Sequence, residues 1–150
     1  MEGMTKPHEY RRMSHCVYLC DYHIVFPTKY RRAIITTEIW KHLYGKLLEI
    51  TTYYPKLYVK EANHDRDHIH LLLSIPPQMT VGSVVRLVKT NTSRGIKDKF
   101  PGLRKQYWGT DGIWSDGYFV STVGVTTEII KSYIAKQGEL DAGQTMKLFD

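Results

Sequence analysis

The stretch Asp67-His68-Ile69-His70-Leu71-Leu72-Leu73-Ser74-Ile75 decides the fold that the sequence predicts. Its apolar and β-branched content, closed by Pro76-Pro77, predicts a strand that is buried on at least one face. Because side chains alternate along a strand, His68 and His70 share one face. The other face carries the side chains that we expect in the core: Ile69, Leu71, Leu73 and Ile75. Two imidazoles at this spacing can converge on one ion, although His-x-His is equally common where a strand ends near solvent.

Length and composition are those of an ordinary globular domain. The chain has 150 residues, of which 42% are hydrophobic, enough to bury a core without disulfides or structural metal. No apolar run approaches the roughly 20 residues that cross a bilayer, and the N-terminal segment lacks the apolar stretch of a secretory signal. We therefore expect one cytoplasmic domain over residues 1–150, with its core at about 14–138 and a short C-terminal tail.

Two cysteines are present, Cys16 and Cys20. Four residues apart in a strand, they would share a face but lie too far apart to form a disulfide. Without a second pair they also fail to make a zinc site. The sequence predicts two free thiols.

Basic residues cluster along the chain. The net charge of +6 comes from 21 Lys and Arg against 15 Asp and Glu, an excess that many proteins carry without binding nucleic acid. Two clusters, Tyr10–Arg12 and Lys29–Arg32, join an aromatic ring to neighbouring arginines, which suits a phosphate backbone with exposed bases. The alternative is solvated loop charge. The candidate DNA contacts are Arg11, Arg12, Lys29, Arg31, Arg32, Arg94 and Lys97.

The hydrophobic periods predict elements in the order β, α, β, β, α, loop, β, α. Strands are predicted at 16–26, 56–62, 67–75 and 117–124. Helices are predicted to begin after Thr36 or Thr37, Thr80, and Thr126 or Thr127. The segment 101–116 is predicted to be a loop packed by Trp108 and Trp114, and Gly138 is predicted to end the last helix before a loose tail. This order predicts an α+β fold, with helices packed on an antiparallel sheet.

Two residues of the last helix complete a candidate site. A stable ion needs a third protein ligand beside two imidazoles, and Gln137 offers an amide oxygen. Tyr133, one turn earlier, offers a hydroxyl on a neighbouring face of the helix, and this pairing suits a nucleophile held beside a metal. By itself, Tyr-x-x-x-Gln is usually surface decoration. We interpret His23 as a core or edge histidine and His64 as a loop residue, and we count neither as a ligand.

Taken together, these segments resemble the single-tyrosine HUH transposases of small bacterial insertion sequences, the IS-two-hundred group, which move as single-stranded DNA. The resemblance runs from about Tyr22 to Gln137. One departure is Arg66, where the family has a proline or small residue. The motifs that carry the resemblance are His-Ile-Val-Phe-Pro-Thr-Lys-Tyr-Arg-Arg at 23–32, Asp-His-Ile-His-Leu-Leu at 67–72, Ile-Pro-Pro at 75–77, Thr-Ser-Arg at 92–94, Trp-Ser-Asp-Gly-Tyr-Phe-Val-Ser-Thr-Val-Gly at 114–124 and Tyr-Ile-Ala-Lys-Gln at 133–137.

The resemblance implies a ferredoxin-like or RRM-like sandwich and a role for each site residue. His68, His70 and Gln137 would hold Mg²⁺ or Mn²⁺, and Tyr133 would be the nucleophile. The enzyme would cleave and rejoin single-stranded DNA at insertion-sequence ends, through a 5′-phosphotyrosine link. Ligand chemistry alone would favour Zn²⁺ or another imidazole-preferring metal.

The resemblance also implies partners. Single-stranded DNA with hairpins at the element ends would be the substrate. The protein would be a homodimer in which the last helix of one chain docks against the histidines of the other. Gly124 lies before that helix and could serve as the hinge of such an exchange, or it could merely end a strand.

The sequence leaves three other functions open. One is a domesticated relative or replication-initiator-like nickase that acts on hairpins. Another is a non-catalytic single-strand-binding module on a similar sandwich, which would not need Tyr133, His68 or Gln137. The third is a small metal-dependent hydrolase that uses His68 and His70 alone.

Overall fold

The structure, a computed structural model, describes residues 10–107, 109–110, 112–122, 124 and 126–149, the segment 144–149 as backbone only. The strands are β1 (Arg11–Met13), β2 (Cys16–Tyr18), β3 (Asp21–Pro27), β4 (Tyr58–His64), β5 (His68–Ser74) and β6 (Phe119–Ser121). The helices are α1 (Thr37–Tyr53), α2 (Val81–Ser93), α3 (Ile96–Lys99), α4 (Pro101–Gln106) and α5 (Thr127–Phe149). A 3₁₀ turn, Lys29–Arg31, follows β3.

The main sheet has four strands in the order β4-β5-β3-β6, and every neighbouring pair is antiparallel. β1 and β2 form a separate antiparallel hairpin. This arrangement confirms the predicted α+β fold, including the hairpin of β4 and β5.

Alternation along β5 separates the core from the histidines, as predicted. Ile69, Leu71 and Leu73 are at most 1% exposed and lie in the hydrophobic core. Ile24 and Phe26 of β3, which pair with Leu71 and Ile69, bury the same face. The apolar stripes of α1 and α2 cover this face, with Ile39, Leu43, Leu47, Ile50, Val84, Val85 and Val88.

Threonine hydroxyls begin both covering helices. The Thr36 hydroxyl accepts a hydrogen bond from the Ile39 amide at 3.3 Å, and the Thr80 hydroxyl accepts one from the Ser83 amide at 3.1 Å. Each satisfies an amide that has no partner inside its helix. The predicted caps Thr36 and Thr80 are therefore confirmed.

Two predicted strands are shorter than expected. The strand predicted at 16–26 divides into β2 and β3, because β2 pairs with β1 whereas β3 pairs with β5. The strand predicted at 117–124 is a strand only at Phe119–Ser121. Val123 lies outside the described residues.

The prediction of a loop over 101–116 is wrong for its first part, which forms α4. Pro101 occupies the first turn of α4, where its missing N–H costs nothing. The packing role of Trp114 is confirmed: its ring meets Phe26 edge-on at 4.9 Å, and its indole N–H donates to the Thr92 hydroxyl at 2.9 Å. Trp108 lies outside the described residues.

The prediction that Gly138 ends the last helix is also wrong. α5 continues through Gly138 to Phe149, so the predicted loose tail is helical. A Cβ at Gly138 would come within 2.7 Å of Cγ of Arg31. This glycine therefore permits a close approach by a side chain and does not serve as a helix stop.

The described residues bear on two further features of the chain, its cysteines and its helix lengths. Cys16 and Cys20 are free thiols, as predicted. Within the described part of the chain, no helix is long and apolar enough to cross a membrane.

Replacing Gly138 with Ala should not give the stability that the same change gives at an open helical position. At Gly45 in α1, an added Cβ would meet nothing within 4 Å, so Gly45→Ala should raise the free energy of unfolding by about 0.5–1 kcal/mol. Gly138→Ala should give a smaller gain or a loss, because the new methyl group displaces the Arg31 side chain. Urea unfolding measures both, and equal gains would contradict the close approach of Arg31.

Candidate active site

The second face of the sheet carries the histidines. His70 and Phe119 pair with Val25 from opposite sides, so these three side chains point to the same face. His23, two residues before Val25 on β3, shares that face. His64, which pairs with Ile69, lies on the other face, where its ring stacks on Trp40 at 4.6 Å.

A carboxylate fixes the orientation of His68. Its Nδ1 lies 2.9 Å from Oδ1 of Asp67, which leaves Nε2 to face a ligand. The other oxygen of Asp67 lies 3.6 Å from Nε of Arg31 in the 3₁₀ turn. An imidazole held by a carboxylate in this way is the usual arrangement at a metal or acid–base site.

His70 contacts another histidine that the sequence reasoning did not count. Its Nε2 lies 3.1 Å from Nδ1 of His23, so one ring donates and the other accepts. Burial, reinforced by His23, lowers the pKa of His70 despite the opposing effect of Glu61. A neutral ring can offer a lone pair, through its other nitrogen or after the two rings separate. Only the pairing of β3 with β5 could have revealed this contact.

α5 places its two predicted site residues next to each other over the histidine face. The Tyr133 ring lies 5.9 Å from that of Phe119. A Cβ at Gly117 would lie 3.1 Å from the Tyr133 hydroxyl oxygen and 2.9 Å from Oε1 of Gln137. The absence of a side chain at Gly117 therefore makes room for both groups.

The Tyr133 hydroxyl is buried, and no hydrogen-bond partner for it is found in the described chain. Burial, with a smaller effect of Asp141, raises the pKa of Tyr133 to about 12. The phenol is therefore neutral near pH 7, and it needs a positive charge or a proton acceptor beside it to become a nucleophile.

Gln137 has a defined orientation. Its Nε2 donates to Oδ1 of Asp141 at 3.3 Å. Because the carboxylate takes the NH₂ end of the amide, the oxygen is the atom that faces Gly117 and Tyr133.

These side chains offer the nitrogen and oxygen donors that a divalent ion with mixed ligands would need. Within the described ranges, no three His, Cys, Asp or Glu side chains gather into a metal site. A third protein ligand would therefore have to be of another type, as the Gln137 amide oxygen is. Nε2 of His68 and Oε1 of Gln137 are the atoms that could donate a lone pair. Each is directed away from the carboxylate that holds its side chain.

Comparison with known proteins identifies the family. Residues 16–137 match the family model described as "Transposase IS200 like". This chain belongs to the IS200-like transposase family. The resemblance predicted from the motifs is thereby confirmed.

Two relatives match this transposase along most of their length. The transposase for insertion sequence element IS200 of Salmonella typhimurium strain LT2 is 36% identical over 131 residues, 87% of this chain and 85% of the relative. The ISDra2 transposase TnpA of Deinococcus radiodurans is 30% identical over 138 residues, 91% of this chain and 97% of the relative.

Solved structures also match the transposase. A crystal structure from Deinococcus radiodurans, assigned to a transposase, superposes with a TM-score of 0.74 at 30% identity and covers 85% of this chain and 97% of that one. A REP-associated tyrosine transposase bound to a REP hairpin gives a TM-score of 0.51 at 16% identity over 83% of this chain and 67% of that one. The second likeness shows the fold alone.

The predicted DNA contacts of this transposase fall into three groups. Arg12, Arg31 and Arg94 are exposed and can meet a phosphate backbone, although Arg31 also pairs with Asp67. The guanidinium of Arg32 lies over the rings of Tyr30 and Tyr107, 5.0 Å from each centroid. The others make contacts within the chain: Arg11 with Ser74, Lys29 with Asp116, and Lys97 with the carbonyl of Thr110. DNA contact by any of them stays a prediction.

Lys89 of α2 holds the segment that carries Gly117, a role that sequence reasoning missed. Its ammonium donates to the carbonyl oxygens of Ser115 at 2.7 Å and Gly117 at 2.8 Å. Burial lowers the pKa of Lys89 to about 8, against the opposing effects of Asp116 and Asp141. In the transposase, Lys89 therefore ties α2 to the wall of the site.

Lys89→Met keeps the length of the side chain and removes its donors. Burial in the folded transposase lowers the pKa of Lys89 from its ordinary 10.5 to about 8. The unfolded chain thus binds more protons between these values, and wild-type stability should rise with pH through this window relative to the variant. Urea unfolding at pH 7 and pH 10 measures the difference. A difference that does not change with pH would contradict the burial of the ammonium.

Proposed function

We propose that this transposase cleaves and rejoins single-stranded DNA at insertion-sequence ends, with Tyr133 as the nucleophile. One observation carries the proposal. α5 brings the Tyr133 hydroxyl and the Gln137 amide oxygen together against Gly117, on the sheet face that bears His68 and His70.

The proposed reaction conserves the number of phosphate ester bonds. The Tyr133 oxygen attacks the scissile phosphorus and forms a 5′-phosphotyrosine link, while the 3′ oxygen leaves and takes up a proton. Attack on that link by the 3′-OH of another strand reverses the step, releases Tyr133 and joins the two strands. No ATP is required, because one phosphate ester is exchanged for another.

The neutral phenol explains why other groups are needed. With its pKa raised to about 12 by burial, Tyr133 cannot attack near pH 7 unless its proton is removed as the bond forms. Mg²⁺ or Mn²⁺, held by His68, His70 and Gln137, would supply positive charge to the phosphate oxygens and favour in-line attack. Asp67 would keep the His68 ring in the orientation that ligation requires.

We further propose that the substrate carries hairpins at the element ends. The net charge of +6 and the exposed Arg12, Arg31 and Arg94 support binding to a phosphate backbone. The hairpin itself is proposed by analogy with the tyrosine transposase that shares the fold, which is bound to a REP hairpin.

The alternative functions account less well for the described site. A non-catalytic binding module has no use for a buried hydroxyl placed beside an amide oxygen. A hydrolase that uses His68 and His70 alone has no use for Tyr133. A nickase without a mobile element would use the same residues, and the DNA sequence that is cleaved distinguishes it.

Tyr133→Phe should abolish cleavage and the covalent protein–DNA adduct but keep DNA binding, because it removes only the nucleophilic oxygen. EDTA and His68→Ala should also abolish cleavage. Labelled single-stranded DNA from the flanks of the gene, run on a denaturing gel, measures adduct and cleavage.

Tyr53→Phe and His64→Ala are the matched controls, since Tyr53 is 82% exposed and His64 lies on the other face of the sheet. Both should behave as wild type. An adduct in Tyr133→Phe would mean that another residue attacks, and full cleavage in EDTA would exclude the proposed metal.

We also propose that the working unit is a homodimer. Excision of an element requires two cut ends, and each chain supplies one candidate nucleophile. In the single chain described, α5 packs on its own β3 and 3₁₀ turn. Two identical chains could exchange α5 and keep every contact. Gly124 lies between β6 and α5, and a glycine tolerates the backbone change that a hinge needs.

Mixing two inactive variants tests the exchange of α5. Tyr133→Phe and His68→Ala chains each lack one part of the site, but a dimer with exchanged helices has one complete site. We expect the mixture to recover cleavage to about a quarter to a half of the wild-type rate per dimer. If mass spectrometry shows mixed dimers and the mixture stays inactive, each site is built by one chain.

A further inference from the structure

Asp141 is a buried carboxylate that the proposed reaction does not use. It lies one turn after Gln137 on α5 and is 0% exposed. Three donors from three segments meet it: the Ser115 hydroxyl at 2.9 Å, the Tyr30 amide at 3.1 Å and Nε2 of Gln137 at 3.3 Å. Burial of a carboxylate is costly without such partners, so its position is strongly specified.

The first consequence concerns the Gln137 amide. A carboxylate can only accept, so it selects the NH₂ end of the amide. The amide oxygen must then point away from Asp141, to the position where a Cβ of Gly117 would lie 2.9 Å from it. An apolar group at position 141 would leave both amide orientations open, and a donating group would turn the amide oxygen inward.

The second consequence concerns the 3₁₀ turn. Tyr30 and Arg31 have φ values of +60° and +53°, which cost free energy in residues other than glycine. The hydrogen bond from the Tyr30 amide to Asp141 stabilises this conformation. This turn also directs the Arg31 side chain across Gly138 to Asp67. Asp67 is the carboxylate that orients His68.

We infer that Asp141 is a positioning residue: it sets the Gln137 amide oxygen towards Tyr133 and fixes the turn that supports His68. The inference rests on the proposed function, because it gives Gln137 the role of a ligand. It adds a residue four positions beyond Gln137, one that acts through Gln137 and the 3₁₀ turn.

An exchange of acid and amide tests this inference. Gln137→Glu alone replaces the amide that donates to Asp141 with a second buried carboxylate. The repulsion between the two carboxylates should turn the new side chain away from Asp141. Asp141→Asn alone can still accept from the Tyr30 amide, but its NH₂ group then faces Gln137 and should turn the amide oxygen inward. The double variant restores a donor opposite an acceptor and again leaves an oxygen facing Gly117.

Mn²⁺ affinity, measured by electron paramagnetic resonance without DNA, is the first readout, and adduct formation is the second. Each single variant should lose about 10- to 100-fold in Mn²⁺ affinity, and the double variant should recover at least tenfold over Gln137→Glu. Hairpin binding should stay unchanged throughout. Glu139→Gln, an exposed carboxylate on the same helix, is the matched control and should behave as wild type.

The outcomes separate this inference from the proposed function. Wild type without adduct and without Mn²⁺ binding would refute the proposed function itself. A different result would overturn the role of Asp141 alone. In it, wild type forms the adduct and binds Mn²⁺, but the loss of Mn²⁺ affinity in the double variant equals the product of the two single losses. If Asp141→Asn does not fold, the comparison of the double variant with Gln137→Glu still decides, since a lack of recovery contradicts the inference.

Discussion

The antiparallel pairing of β3 with β5 is the constraint on which the site depends. Burial of Ile69 and Leu71 against α1 and α2 leaves His68 and His70 no other face to occupy. A shift of one residue in the register of β5 would place the histidines in the core. It would also expose several apolar side chains that are now buried. The hydrophobic effect that stabilises the domain thus also presents the imidazoles.

A second constraint joins α5 to that face. Asp141, Gly138 and the 3₁₀ turn fit one another: the carboxylate accepts from the turn, and the glycine makes room for the Arg31 side chain. Arg31 also reaches Asp67, so one side chain joins the docking surface of α5 to the carboxylate that orients His68. The hydrogen bond from the Tyr30 amide to Asp141 of α5 helps to offset the energetic cost of the positive φ values.

The parts of the site that depend on local sequence could be predicted, and the parts that depend on distant pairing could not. Alternation alone gave the shared face of His68 and His70. The contact of His23 with His70 required the register between strands that lie far apart in the chain. The continuation of α5 past Gly138 was missed, because the glycine that usually ends a helix here serves a close approach by Arg31, and the burial of Asp141 was missed with it.

The central claim is that Tyr133, presented by α5 on the histidine face, forms the covalent link to DNA. The most direct measurement is peptide mass spectrometry of the protein–DNA adduct after nuclease digestion. We expect a nucleotide phosphate on the peptide that contains Tyr133 and on no other tyrosine. Cleaved DNA without any protein link, or a phosphate on Tyr107 or Tyr118 instead, would contradict it.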